Sequence, residues 1–102
     1  MSFFVATTIR ELRSMTALYD SYKKQLADLP KGSLQVKERN GKKYYYLVYR
    51  NDGKIVNDYA GNDEAIITEL KEQLDRRKGI EKLLKGIKKE IALMNKVLEA
   101  AK

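Results

Sequence analysis

The sequence contains no cysteine, no histidine and no tryptophan, and only one proline and two phenylalanines. Without cysteine no disulfide can form, which fits a reducing compartment. Without histidine and cysteine, the commonest general bases, nucleophiles and transition-metal ligands are missing. Neither G-x-G-x-x-G nor G-x-x-x-x-G-K occurs, so no phosphate-cradling glycine loop is present. Enzymatic activity is therefore not expected, nor is a cofactor, a metal site or a small-molecule substrate. No apolar run approaches the roughly 20 residues that span a bilayer. The opening MSFFVA is too short for a secretory apolar region, and no basic segment precedes it. A cytoplasmic location without membrane contact is the expectation.

What the chain does have is charge, tyrosine and helical periodicity. Its 102 residues suit one domain with a thin core, burying roughly 60–65% of the unfolded surface. The net charge of +7 is uneven. Residues 1–30 carry +1, residues 31–61 carry +4 and residues 62–102 carry +2. A basic middle segment favours polyanionic partners such as a nucleic acid or a nucleoprotein. The same charge also serves plain solubility.

Thr8 to Glu11 reads as a capping box. Apolar residues follow at Ile9, Leu12, Met15, Tyr19, Tyr22, Leu26 and Leu29, a stripe at helical spacing. Pro30 stops the helix, so the first helix is expected over about 8–28. Leu34 and Val36 then alternate with Gln35 and Lys37 as in a strand. Asn40-Gly41 signals a tight hairpin. Residues 43–50 make a second strand, and Asn51-Asp52-Gly53 a second turn. Lys54 to Tyr59 form a third strand. The result is a three-stranded antiparallel meander, which needs a helix on one face to be stable.

Gly61 ends the sheet, and Asn62 or Asp63 caps a second helix with Asp63, Glu64, Glu69 and Glu72 near its positive end. Its seam reads Ile66, Leu70, Leu74, Arg77, Ile80, Leu84, Ile87, Ile91, Met94 and Leu98, close to a coiled-coil heptad. Gly79 and Gly86 lie seven apart on one side, each costing up to about 1 kcal/mol in a helix interior. With Leu83, Leu93 and Val97 they form a second stripe, interrupted by Glu90. Two accounts stay open: self-association with the glycines admitting another helix, or a break near Gly79 that folds the tail back. The fold class is thus α+β, ordered α-β-β-β-α. The chain is expected as a single domain over 1–102: a helix within 1–30, a meander over 31–61 and a long helix over 62–102.

Two patterns are candidate sites. The segment KKYYYLVYR, residues 42–50, packs four tyrosines into nine residues. Alternation puts Tyr44, Tyr46, Val48 and Arg50 on one face and Tyr45, Leu47 and Tyr49 on the other. Only one face can rest on the helices, so tyrosines stay exposed on a sheet bordered by Lys37, Arg39, Lys42, Lys43 and Lys54. Three uses stay open: cross-strand packing, a protein interface and stacking of bases. The second pattern is a lysine ridge, Lys78, Lys82, Lys85, Lys89 and Lys96, opposite the apolar seam. It suits either a phosphate backbone or an ordinary solvated helix face. The expected partner-binding groups are Tyr44, Tyr46, Arg39, Lys43 and Arg50, with Lys78, Lys82, Lys85 and Lys89 in support.

Leu29-Pro30-Lys31-Gly32-Ser33-Leu34, Tyr44-Tyr45-Tyr46 and Tyr59-Ala60-Gly61, followed by a charged helix, carry a resemblance over about residues 8–95. The chain resembles small uncharacterised proteins of bacteria, phages and other mobile elements. Some of those carry a cysteine-rich insert in the hairpin. This chain lacks it, so no metal role carries over. The resemblance implies a mobile-element context, in which small proteins often bind host machinery, defence nucleoproteins included. The expected function is a non-catalytic protein that regulates or inhibits a host nucleic acid or nucleoprotein complex by surface occupation, in the manner of an anti-CRISPR inhibitor. Alternatives are a direct DNA- or RNA-binding accessory protein and a structural homodimer joined through Gly79, Leu83, Gly86, Leu93 and Val97.

Overall fold

The computed structural model describes residues 2–102 and runs α1 (Phe3–Ala27), β1 (Ser33–Arg39), β2 (Lys42–Asn51), β3 (Lys54–Gly61) and α2 (Glu64–Ala100). This is the α-β-β-β-α order of an α+β protein. The chain divides into two compact units: Leu29–Lys78, and the N-terminal residues to Asp28 together with Gly79–Lys102. The helix α2 contributes to both.

In the unit Leu29–Lys78, the sheet has the order β1-β2-β3 with antiparallel pairing throughout. Each hairpin closes on two residues of positive φ: Asn40 (54°) and Gly41 (76°), then Asp52 (50°) and Gly53 (79°). Positive φ at both central positions is the geometry whose twist matches the flanking strands. The first turn sets Arg39 opposite Lys42, Lys37 opposite Tyr44 and Gln35 opposite Tyr46. The second sets Asn51 opposite Lys54 and Tyr46 opposite Tyr59. Beyond Tyr46 the register moves by one residue, with Tyr45 opposite Gly61, which makes Ala60 the extra residue of a bulge.

One face of the sheet, with Leu34, Tyr45, Leu47, Tyr49 and Val56, turns toward the first half of α2. Lys71 of that helix holds its Nζ 5.4 Å from the Tyr45 ring centroid. Ile67 and Leu74 are the buried residues of this stretch. Asp63 caps the helix, its Oδ1 accepting from the amides of Ala65 (2.9 Å) and Ile66 (3.4 Å). The seam starts at Ile67 and not at Ile66, which is 56% exposed against 3% for Ile67. Ile67 lies one heptad before Leu74, whereas Ile66 sits about 100° further round the helix. Arg77 is half-buried, and its guanidinium donates to the Leu29 carbonyl at 3.0 Å. That bond anchors the start of the β1 lead-in to the helix.

In the other unit, α1 begins five residues earlier than the capping box suggests. Ser2 is the N-cap, its hydroxyl accepting from the Val5 amide at 3.0 Å. Thr8 sits inside the helix and donates its hydroxyl to the Phe4 carbonyl at 2.9 Å, the mid-helix habit of threonine. Nothing in Phe3–Thr7 opposes helix formation, so the earlier cap wins. The stripe Ile9, Leu12, Met15, Tyr19, Tyr22 and Leu26 is half-buried throughout. Ile80 and Ile87 of α2 are buried in the same unit. α2 itself continues unbroken through Gly79 and Gly86 for 37 residues, about 55 Å. The alternative of a break near Gly79 is thereby set aside: neighbouring residues with good helix propensity outweigh one glycine.

Gly32 is the tightest backbone point. Its φ is +112°, and a Cβ there would run into the Val48 carbonyl oxygen and stand 2.9 Å from Tyr49 Cβ. Gly32→Ala should destabilise the protein by about 2 kcal/mol or more in chemical denaturation, from strain and overpacking together. Gly86 is the converse case: helical, exposed, with open space around it. Gly86→Ala should raise stability by up to about 1 kcal/mol in the same assay.

Candidate functional site

Register assigns every side chain of the sheet to a face. The face turned away from α2 carries Gln35, Lys37 and Arg39 from β1, Lys42, Tyr44, Tyr46, Val48 and Arg50 from β2, and Ile55, Asn57 and Tyr59 from β3. Among the described residues of the sheet, no carboxylate shares that face. Both strand carboxylates, Glu38 and Asp58, lie on the face toward α2, with Lys43 and Lys54. One face therefore holds four cations and no anion, while the other is balanced.

Three tyrosines cluster in the middle of the basic face. The Tyr46 and Tyr59 rings lie 5.4 Å apart and are tilted by 53°. Tyr44 and Tyr59 lie 6.3 Å apart at 39°. Such tilted pairs are the favoured aromatic geometry. Lys37 Nζ sits 4.7 Å from the Tyr46 centroid, close enough for a cation–π contact. Lys37, Arg39, Asn40, Tyr44, Tyr46 and Tyr59 line a recess of about 370 Å³. Tyr44 and Tyr46 are half-buried, while Tyr59 is 58% exposed.

Of the residues singled out from the sequence, Tyr44, Tyr46, Arg39 and Arg50 come together on this face. Lys43 does not. It stands opposite Glu38 in the register and points with Tyr45 toward α2, because adjacent strand residues alternate. Tyr59 is the member that the sequence pattern leaves unassigned. The signal was available: Asp52-Gly53 sets Asn51 against Lys54, and counting back along both strands brings Tyr59 beside Tyr46.

On α2, Lys78, Lys82, Lys85 and Lys89 are all exposed. Leu83 and Leu93 are 49% and 56% exposed, Gly79 and Gly86 are exposed, and Val97 is half-buried. Four of these five residues follow a ridge lysine by one: 79 after 78, 83 after 82, 86 after 85, 97 after 96; Leu93 follows Ala92. The apolar stripe is thus bordered by lysines along its length.

Tyr49, on the face toward α2, donates its hydroxyl to Asp58 Oδ2 at 2.8 Å. That hydrogen bond, then partial desolvation, then the Asp58 charge raise the phenol above its ordinary value near 10. Lys31 Nζ lies 5.8 Å from the same ring. The bond holds the neutral phenol, so its contribution is complete below pH 10 and lost as pH climbs through the raised value.

The family described as Domain of unknown function (DUF6788) matches residues 8–72. The match takes in the whole sheet and ends within α2. No curated protein and no solved structure matches the chain. Among the described residues no helix is long and apolar enough to cross a membrane.

An NMR titration of the Tyr49 ring should show it ionising above its ordinary value near 10, and Asp58→Ala should lower it.

Proposed function

The chain belongs to the DUF6788 family, and for it we propose a non-catalytic role: it binds a nucleic acid, or a protein complex that carries one, through the open face of its sheet. Occupying that surface regulates or inhibits the target. The origin that fits this role is a phage or another mobile element, as the sequence resemblance implies.

The segregation of charge between the two sheet faces carries the reading. Lys37, Arg39, Lys42 and Arg50 share one face with three tyrosines, and the sheet's strand carboxylates are on the other. A face built only for solubility has no need to exclude carboxylates. A face that meets phosphates does, since each anion on it would repel the ligand at short range. The exposed lysines of α2 add long-range attraction, and steering of this kind falls with ionic strength. Self-association through the exposed Leu83 and Leu93 of α2 is the second reading.

If the four cations each neutralise one phosphate, the logarithm of the binding constant should fall against the logarithm of salt with a slope of about −3 on single strands and about −4 on duplex. A flat salt response would remove the proposal. Lys42→Glu should weaken binding far more than Lys43→Glu. The two residues are adjacent, carry the same charge and differ only in the face they occupy.

A further inference from the structure

The recess of the basic face has a shape that charge alone does not require. A surface that only tracks phosphates needs cations spaced along a ridge. Here two of the four cations, Lys37 and Arg39, line a concave site of about 370 Å³ together with Asn40 and three tyrosines. Tyr44 and Tyr46 are packed into the wall, and Lys37 already covers the Tyr46 ring. Tyr59 differs. It is the most exposed of the three, it sits on an edge strand, and no cation lies over it among the contacts of the cluster.

We propose that this recess takes an unpaired nucleobase, stacked on Tyr59, and that the preferred ligand is single-stranded nucleic acid. The inference rests on the polyanion reading above and adds the base to it. Lys37 and Arg39 lie on the β1 side of the recess and suit the phosphate that leads into the flipped base. Asn40, at the turn, offers both a donor and an acceptor to a base edge. The exposed flank of Tyr59 supplies the stacking surface, a contact every base can make. Duplex nucleic acid fits less well. Its bases already cover one another's faces, so the aromatic recess would stay unfilled and only the cations would be used.

The test uses the full chain and labelled strands of equal length in fluorescence anisotropy: oligothymidylate, an abasic strand with the same phosphates, and a duplex. Oligothymidylate should bind at least about fivefold more tightly than the abasic strand, the least expected for one stacked base. It should also quench the tyrosine emission, which no tryptophan masks in this chain. Tyr59→Ala should remove the preference for bases while leaving affinity for the abasic strand in place, and Tyr59→Phe should restore it. Equal binding of the abasic strand, or tighter binding of the duplex, would overturn the base pocket and leave the charge reading standing. Failure of all three ligands to bind would overturn the base pocket and direct contact with nucleic acid together, leaving of the reading above only its protein-complex arm. The comparison of strands on the unaltered protein decides the matter even if Tyr59→Ala does not fold.

Discussion

The two hairpin turns, Asn40-Gly41 and Asp52-Gly53, hold all four of their central residues at positive φ. Only a short list of residues adopts that geometry readily, and glycine and asparagine lead it. The turns allow one register in each hairpin. Because side chains alternate, a slip of one residue would carry the slipped strand's side chains to the opposite face. A slip of β1 would put Glu38 beside Tyr44 and Tyr46 in place of Lys37 and Arg39, and a slip of β3 would put Asp58 there in place of Tyr59. The basic aromatic face exists because these turns forbid that slip.

The rest of the unit reinforces the same register. Gly32 lets the chain pass against the Val48 carbonyl, which no side chain at that position would tolerate. Arg77 holds the Leu29 carbonyl from α2. Tyr49 and Asp58 bond across neighbouring strands on the face toward the helix. Each contact is modest by itself, and the buried core is small: Ile67, Leu74, Ile80 and Ile87 are its members among the described residues. With so little buried, turn geometry and local hydrogen bonds carry a larger share of the specificity than in a domain with a thick core.

The helix α2 explains a second economy of the design. One continuous element supplies buried residues to both units, Ile67 and Leu74 to one and Ile80 and Ile87 to the other. Its outward side then carries a lysine ridge next to a line of glycine and leucine. The ridge adds positive potential without needing a fixed geometry. The sheet face does need one, and its cations sit on strands, where position is held within the pleat.

Much of this could be read from the chain alone. The element order, both turns and the α1 stripe follow from local signals: Asn-Gly and Asp-Gly pairs, alternation over Leu34 to Lys37, and steps of three and four from Ile9 to Leu26. The start of α1 did not follow, because Thr8 and Glu11 imitate a cap that Ser2 provides. The seam residue Ile67 was hidden beside Ile66, since two adjacent isoleucines at a helix start satisfy the period almost equally. Lys43 looked like part of a basic run, as neighbours in sequence do, until pairing placed it opposite Glu38.

The sequence by itself determined the kinds of element, their order and the register of the hairpins, since those depend on residues within a few positions of one another. Tertiary structure decided which side of the sheet would be covered. Both faces of β2 carry tyrosines, so hydrophobicity does not choose between them. The choice comes from where α2 lands, with Lys71 over Tyr45, and it leaves Tyr44, Tyr46 and Tyr59 around an open recess. Such an outcome depends on contacts between residues far apart in the chain, and no local pattern encodes it.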